Sequence, residues 1–281
     1  MKPAQIKEGQ RTTWKLTAPG WMKHDRVISE GARPVSERLL RLVGISEGHR
    51  LLDIASGTGE PALTAAEWVG PHGAVIGTDL VEEMLAYARE KASAKNYRNV
   101  EFRAVDGEEL DVDRESFDAV TCRWGLMFMP NPVACMKRAH EALKPGGRAA
   151  VATWAEPQRN PFASVPMGVV MNYVNVPPPP PGTPGIFGIA NPNRLQDILS
   201  EAGFLDIEVE EMPVTFVEVE SGTAYWDIMR ELAGPIVALI NTLSPDLQEV
   251  VHREISEAAQ RLHDGQNVKV TGVTLVASGR K

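Results

Sequence analysis

Three acidic residues stand out because each lies at or near the end of a strand-like run that leads into a turn: Asp53 within Arg50-Leu51-Leu52-Asp53-Ile54-Ala55, Asp79 after Val75-Ile76-Gly77-Thr78, and Asp106 after Val105. An ionised carboxylate is a hydrogen-bond acceptor only, so acids at such positions suit a ligand that presents hydroxyls, amines or positive charge. Between the first two lies Ser56-Gly57-Thr58-Gly59, whose glycines let the backbone turn sharply and approach a ligand closely. Arg123 ends a later apolar run, Phe117 to Arg123, and supplies the one cation of the set.

The glycine turn is compatible with more than one cofactor. Gly57-Thr58-Gly59-Glu60-Pro61-Ala62 satisfies the dinucleotide pattern, with Asp79 about 20 residues beyond as the ribose-binding acid, so an NAD-dependent oxidoreductase is a rival reading. A pyrophosphate placed over a helix N-terminus is disfavoured by extra anions there. Glu60 stands at that terminus and Asp53 precedes the turn. The ligand that fits this charge pattern is cationic.

The elements that must carry these residues read as alternating strands and helices. Strands are expected at 50–55, 73–79, 100–105, 117–123 and 148–154, with helices at 60–69, 81–95 and 131–143, the last stopped by Lys144-Pro145-Gly146-Gly147. Such alternation gives a parallel sheet that binds ligands at the carboxyl ends of its strands. Before it, residues 5–43 read as helical, with breaks near Pro19-Gly20 and Gly31 and a helix start at Arg33-Pro34. After it, residues 155–190 are rich in Pro and Gly and include the run Pro177–Pro181, which reads as a stiff loop bordering the site. A helix at 192–202, a strand at 205–219, a mostly helical stretch at 221–263 and a final strand at 268–279 complete the chain.

Taken together the motifs resemble class I S-adenosylmethionine (SAM)-dependent methyltransferases. Asp53-x-x-x-Gly57-x-Gly59 resembles their first motif. Val75-Ile76-Gly77-Thr78-Asp79-Leu80-x-x-x-Met84-Leu85 resembles the second. Val105-Asp106-Gly107-Glu108-x-Leu110, Phe117-Asp118-Ala119-Val120 and Leu143-Lys144-Pro145-Gly146-Gly147 follow in the family's order. The resemblance covers roughly residues 35–155 and is closest to the branch of ubiquinone and menaquinone biosynthesis and natural-product methyltransferases. It implies a Rossmann-like α/β fold of seven strands with the last antiparallel. The expected organisation is an N-terminal helical cap (1–45), a SAM-binding core (46–155), the Pro/Gly-rich active-site loop (156–191), more core (192–220), a helical lid (221–265) and the last strand (266–281).

The resemblance also implies roles. Asp53, Ser56, Gly57, Thr58 and Gly59 would hold the methionine part of SAM, whose sulfonium and ammonium suit nearby carboxylates. Asp79 would receive both ribose hydroxyls. Leu80 and Met84 would flank the adenine, Asp106 would accept from its amino group beside Gly107 and Glu108, and Arg123 would face the methionine carboxylate or the transfer cleft. Methyl transfer from a sulfonium needs mainly positioning and exclusion of water. His24 in the cap is the histidine carried forward as a base. His49, His72 and His140 do not point to the expected cleft. Trp14 and Trp21, seven residues apart or about two helical turns, join Trp124 and Phe128 as candidate walls for the acceptor. With Met127, Met129 and Met167 they point to a small apolar or aromatic molecule, methylated on carbon or oxygen. A SAM-binding protein without turnover is the second alternative.

Composition narrows the partners. A net charge of −8 and the lack of a basic run argue against nucleic acid. Cys122 and Cys135 form no metal-ligand pair, so reduced thiols and no metal site are expected. The first residues lack a signal-peptide pattern and no apolar run approaches the roughly 20 residues of a membrane span, so a cytoplasmic enzyme with a small-molecule substrate is expected. The acceptor and the oligomeric state are not written in the sequence.

Overall fold

The computed structural model describes residues 2–177 and 179–281, so Pro178 of the proline run lies outside the described residues. The core strands are β1 (Arg50–Ile54), β2 (Ala74–Asp79), β3 (Val100–Ala104), β4 (Phe117–Arg123), β5 (Leu143–Trp154), β6 (Leu205–Val219) and β7 (Val268–Arg280). They form one sheet in the order β3-β2-β1-β4-β5-β7-β6. The first five pair in parallel, and β7 runs antiparallel between β5 and β6. This is the seven-stranded class I arrangement. Strand order reverses between β1 and β4, and a ligand crevice opens at such a reversal. Leu51, Leu52 and Ile54 of β1 and Ala119 and Val120 of β4 are buried, as strands covered on both faces require.

Ten helices surround the sheet among the described residues: α1 (Pro3–Lys23), α2 (Asp25–Leu42), α3 (Ala62–Val69), α4 (Glu82–Ala94), α5 (Pro132–Ala142), α6 (Pro161–Val170), α7 (Pro192–Glu201), α8 (Gly222–Leu232), α9 (Gly234–Ile240) and α10 (Pro245–Gln260). The N-terminal pair divides its work. α1 rests on α4, α8 and α9, while α2 packs along β6, β5 and β4. α1 therefore lies over the crevice edge, while α2 packs on the sheet and reaches the crevice with Asp25 at its start and Ser36 further along. Residues 221–263 form three helices, with α8 against α10 and α1.

The structure corrects three sequence readings. Neither Pro19-Gly20 nor Gly31 breaks a helix, and Arg33-Pro34 does not start one; all lie inside α1 and α2, and the single interruption falls at His24. The buried stripe Ile28, Ala32, Val35, Leu39 and Leu40 holds α2 in place and offsets the ~3 kcal/mol that an internal proline costs. Residues 155–190 are not all loop, because α6 folds within them and buries Phe162, Ala163, Pro166 and Val170. Lys144–Gly147 does not precede β5 but bulges within it: Leu143 pairs with Phe117, and Arg148 with Ala119.

Gly31 is a packing residue. A Cβ there would lie 2.5 Å from the Phe216 carbonyl oxygen and 2.7 Å from that of Thr215. Gly31→Ala is expected to destabilise the fold by about 1–3 kcal/mol through this overlap, read as a lower urea midpoint at unchanged slope.

Candidate functional site

The crevice is built from turns that leave the strand ends. After β1 the backbone takes positive φ at Ala55 (57°), Gly57 (53°) and Gly59 (108°). After β4, Trp124 takes φ 58°, a conformation that costs a bulky side chain about 1–3 kcal/mol and persists where the surroundings enforce it. The two turns touch, since Gly125 leaves just enough room for the Ala55 methyl. Ala55 and Trp124 thus hold strained backbone at the carboxyl ends of the two strands that flank the reversal.

Asp53 lies beneath the first turn and is fully buried. Ser56 Oγ donates to its Oδ2 at 2.7 Å and Thr121 Oγ1 to its Oδ1 at 2.7 Å. Burial pushes its pKa up to about 7, although these hydroxyls and the positive charge of Arg123 oppose the rise. Asp79 ends β2; its Oδ2 accepts from Gly57 N at 2.9 Å and its Oδ1 from Val81 N at 2.9 Å. Burial raises its pKa and these backbone donors counteract it. Asp106 follows β3 and accepts from Glu108 N at 2.9 Å. The Glu108 carboxylate takes Asn131 N at 2.7 Å, and Gly107 is buried beside Ile54, Met129 and Cys135.

Arg123 donates to Ser36 Oγ at 2.7 Å and lies over the Trp124 ring at 5.1 Å. Burial lowers its pKa, while Glu60, Asp53 and Asp25 hold it up. Glu60 precedes α3 rather than starting it, and its Oε2 accepts from Thr64 N at 3.3 Å and Thr64 Oγ1 at 2.7 Å. That end of α3 already holds an anion, where a dinucleotide would need to place its pyrophosphate.

Charged residues of α1, absent from the sequence reading, reach the same crevice. Lys7 Nζ lies 2.6 Å from Asp106 Oδ2 and 2.9 Å from Glu108 Oε2. Arg11 and Lys15 join Leu80, Val81, Glu82, Glu83, Ala104, Val105 and Asp106 around a cavity of about 380 Å³. Leu80 and Asp106, both expected at the adenine, line this space. Met84 is buried with Ala18 and Val81 against Trp14, Trp21 and Leu80. These lysines and arginines carry no motif, and on an amphipathic helix they read as a solvated face.

The aromatic candidates separate into two groups. Trp14 stands edge-on to Trp21 at 5.7 Å and to Phe128 at 5.2 Å between ring centroids. The Trp21 indole nitrogen is buried without a hydrogen-bond partner. Trp124 instead stacks on Trp154 at 4.3 Å and donates to Thr274 Oγ1 at 2.9 Å, within a packing cluster that includes Phe162 and Phe216. His24 is engaged elsewhere: its Nε2 lies 3.0 Å from Glu231 Oε2 on α8. Ser56 turns inward to Asp53, so of the glycine turn only Thr58 offers a hydroxyl outward, and Asp25 Oδ1 accepts it at 3.0 Å. Both cysteines are buried, and burial pushes the Cys122 thiol up to about 12. Among the described residues no group of three or more His, Cys, Asp or Glu is placed to hold a metal ion, and no helix is long and apolar enough to cross a membrane.

The family model for the methyltransferase domain matches residues 45–172, the segment that carries β1 to β5 and the acids Asp53, Glu60, Asp79 and Asp106. The matched segment is similar to a methyltransferase domain, and the sheet that carries it has the class I methyltransferase fold. Among relatives, the demethylmenaquinone methyltransferase of Geobacillus kaustophilus is 36% identical over 111 residues, which cover 40% of this chain and 47% of that protein. The chain spans about half the length of the curated relatives it matches. Among solved structures, the phosphoethanolamine N-methyltransferase 2 of Haemonchus contortus, in complex with SAM, is 22% identical with a TM-score of 0.54, covering 88% of this chain and 52% of that one. The [4+2]-cyclase SpnF is 18% identical with a TM-score of 0.57, covering 89% and 82%. A cyclase on the same fold means that the reaction of this chain has to be argued from its crevice.

The buried Asp53 sets a pH dependence. In the folded chain the carboxyl keeps its proton up to about pH 7, whereas an unfolded aspartate loses it near pH 4. Between these values the native state binds more protons, so stability falls as pH rises, on the order of 1.4 kcal/mol per pH unit at the steepest, and levels off above about pH 7. Chemical denaturation across this range is expected to show the decline, and Asp53→Asn to flatten it.

Proposed function

We propose that the chain binds SAM in this crevice and transfers its methyl group to a small apolar or aromatic acceptor, on carbon or oxygen. The observation that carries the reading is the convergence of three strand-end acids, a glycine turn and one arginine at the strand reversal, beside a cavity lined by Leu80 and Asp106. The donor set fits the cofactor. Asp79 keeps free lone pairs toward the ribose hydroxyls while its bonds to Gly57 N and Val81 N fix its direction. Asp106 offers an acceptor to the adenine amino group. Asp53, Glu60 and Asp25 place negative charge around Arg123, which suits a ligand that is cationic at sulfur and nitrogen and anionic at one carboxylate.

Bound SAM supplies an activated methyl group, so the protein's work is to orient both partners and exclude water. Trp14, Trp21 and Phe128 pack together beside Leu80 and Met84 and are the candidate apolar surface for the acceptor. His24 is paired with Glu231, and the reading assigns no general base to the chain. The relatives named for demethylmenaquinone methylation support a small-molecule acceptor. The NAD reading is disfavoured by Glu60, which occupies the end of α3.

Calorimetric titration with S-adenosylhomocysteine, run beside NAD, tests the cofactor. Binding of S-adenosylhomocysteine and none of NAD is expected, and Asp79→Ala should weaken binding roughly 10- to 100-fold, the worth of a hydrogen bond to a charged group. Heat from NAD with none from S-adenosylhomocysteine would sink the proposal. Because the ligand's ammonium favours ionised Asp53, affinity should also rise from about pH 6 to about pH 8, and Asp53→Asn should abolish the rise. Methyl transfer from SAM to a phenolic panel then separates an enzyme from a protein that only binds.

A further inference from the structure

The glycine turn contains two side chains that can be fastened: Ser56 is tied inward to Asp53, and Thr58 is tied outward to a residue that lies before the matched segment. Gly57 and Gly59 on either side have positive φ and no Cβ, so little but hydrogen bonding fixes the turn. From below, Asp79 takes Gly57 N. From above, Asp25 at the start of α2 takes Thr58 Oγ1 at 3.0 Å. Lys91 of α4 holds the same carboxylate at 2.8 and 2.9 Å, and Ser29 Oγ donates to it at 3.3 Å. The Asp25 and Lys91 side chains are only 16% and 17% exposed, so this pair is screened little by solvent.

We propose that Asp25 is a positioning residue for the cofactor site, acting through Thr58 to hold the glycine turn in its binding shape. The inference rests on the cofactor reading above and deepens it. Asp25 lies outside residues 45–172, so the turn that the methyltransferase domain carries is completed by the segment before it. Lys91 fixes the carboxylate in direction, and the carboxylate fixes the hydroxyl. The turn is then clamped by two acids from opposite sides, one of which also serves the ribose.

A double-mutant cycle on the full chain tests this. Asp25→Ala and Thr58→Val should each weaken S-adenosylhomocysteine binding roughly ten-fold, and the double variant should bind no more weakly than the poorer single variant, because one contact is removed in all three. Thr58→Ser should restore affinity. In the ligand-free protein, amide hydrogen exchange at Gly57–Gly59 should speed up in both single variants while β1 and α3 keep their protection. Wild-type affinity in both single variants, effects that multiply in the double, or exchange that rises through the whole domain would each overturn the proposal. If the wild type does not bind S-adenosylhomocysteine, the cofactor reading falls, and the exchange experiment still decides whether Asp25 fixes the turn.

Discussion

Burying the Asp53 carboxylate at the end of the central strand is the constraint around which the crevice is arranged. A carboxyl group removed from water must be met by hydrogen bonds, and its ionised form by opposite charge as well. Here two hydroxyls meet it, Ser56 from the turn above and Thr121 from the neighbouring strand. Those two bonds tie β1, β4 and the glycine turn into one unit. They also consume the Ser56 side chain, which leaves Thr58 as the turn's outward hydroxyl. Arg123 completes the balance at longer range.

Around this centre the same device recurs: a strand-end acid binds backbone N–H groups of the turn beside it. Asp79 does so with Gly57 and Val81, and Asp106 with Glu108. Each acid is thereby aimed before any ligand arrives, and preorganised acceptors lose little entropy on binding. α1 adds charges from the other side. Lys7 meets Asp106 and Glu108, and Lys91 of α4 meets Asp25, so acids on both sides of the crevice are paired with lysines.

The sheet, its order of elements and its three acids were legible because they follow from local chemistry: apolar runs of strand length, glycines where the chain must turn, acids at strand ends. The cap was legible only as helix. Gly20 and Gly31 looked like breaks because glycine is a poor helix former. Their role is close approach to α8 and β6, which depends on partners some 200 residues away. Asp25, Lys7 and Lys91 were invisible for the same reason, since a charge on a helix face carries no sign of what it will meet. Trp124 was expected in the cleft from its place after β4. Its left-handed backbone turns the ring into the stack on Trp154, and no residue pattern announces that turn.

The docking of α1 on α8 and α9, and of α2 on β6, has a kinetic consequence. Lys23 and His24 meet Glu231, and Arg38 meets Glu210. A chain emerging from the ribosome therefore makes its first helices long before their partners exist. The parallel core can gather earlier, but the walls of the crevice close only when the far end of the polypeptide returns. Contacts of such sequence separation slow folding, because loop closure must precede their reward. During that interval the apolar face of α2 is uncovered, and a nascent form of this protein is a natural client for chaperones.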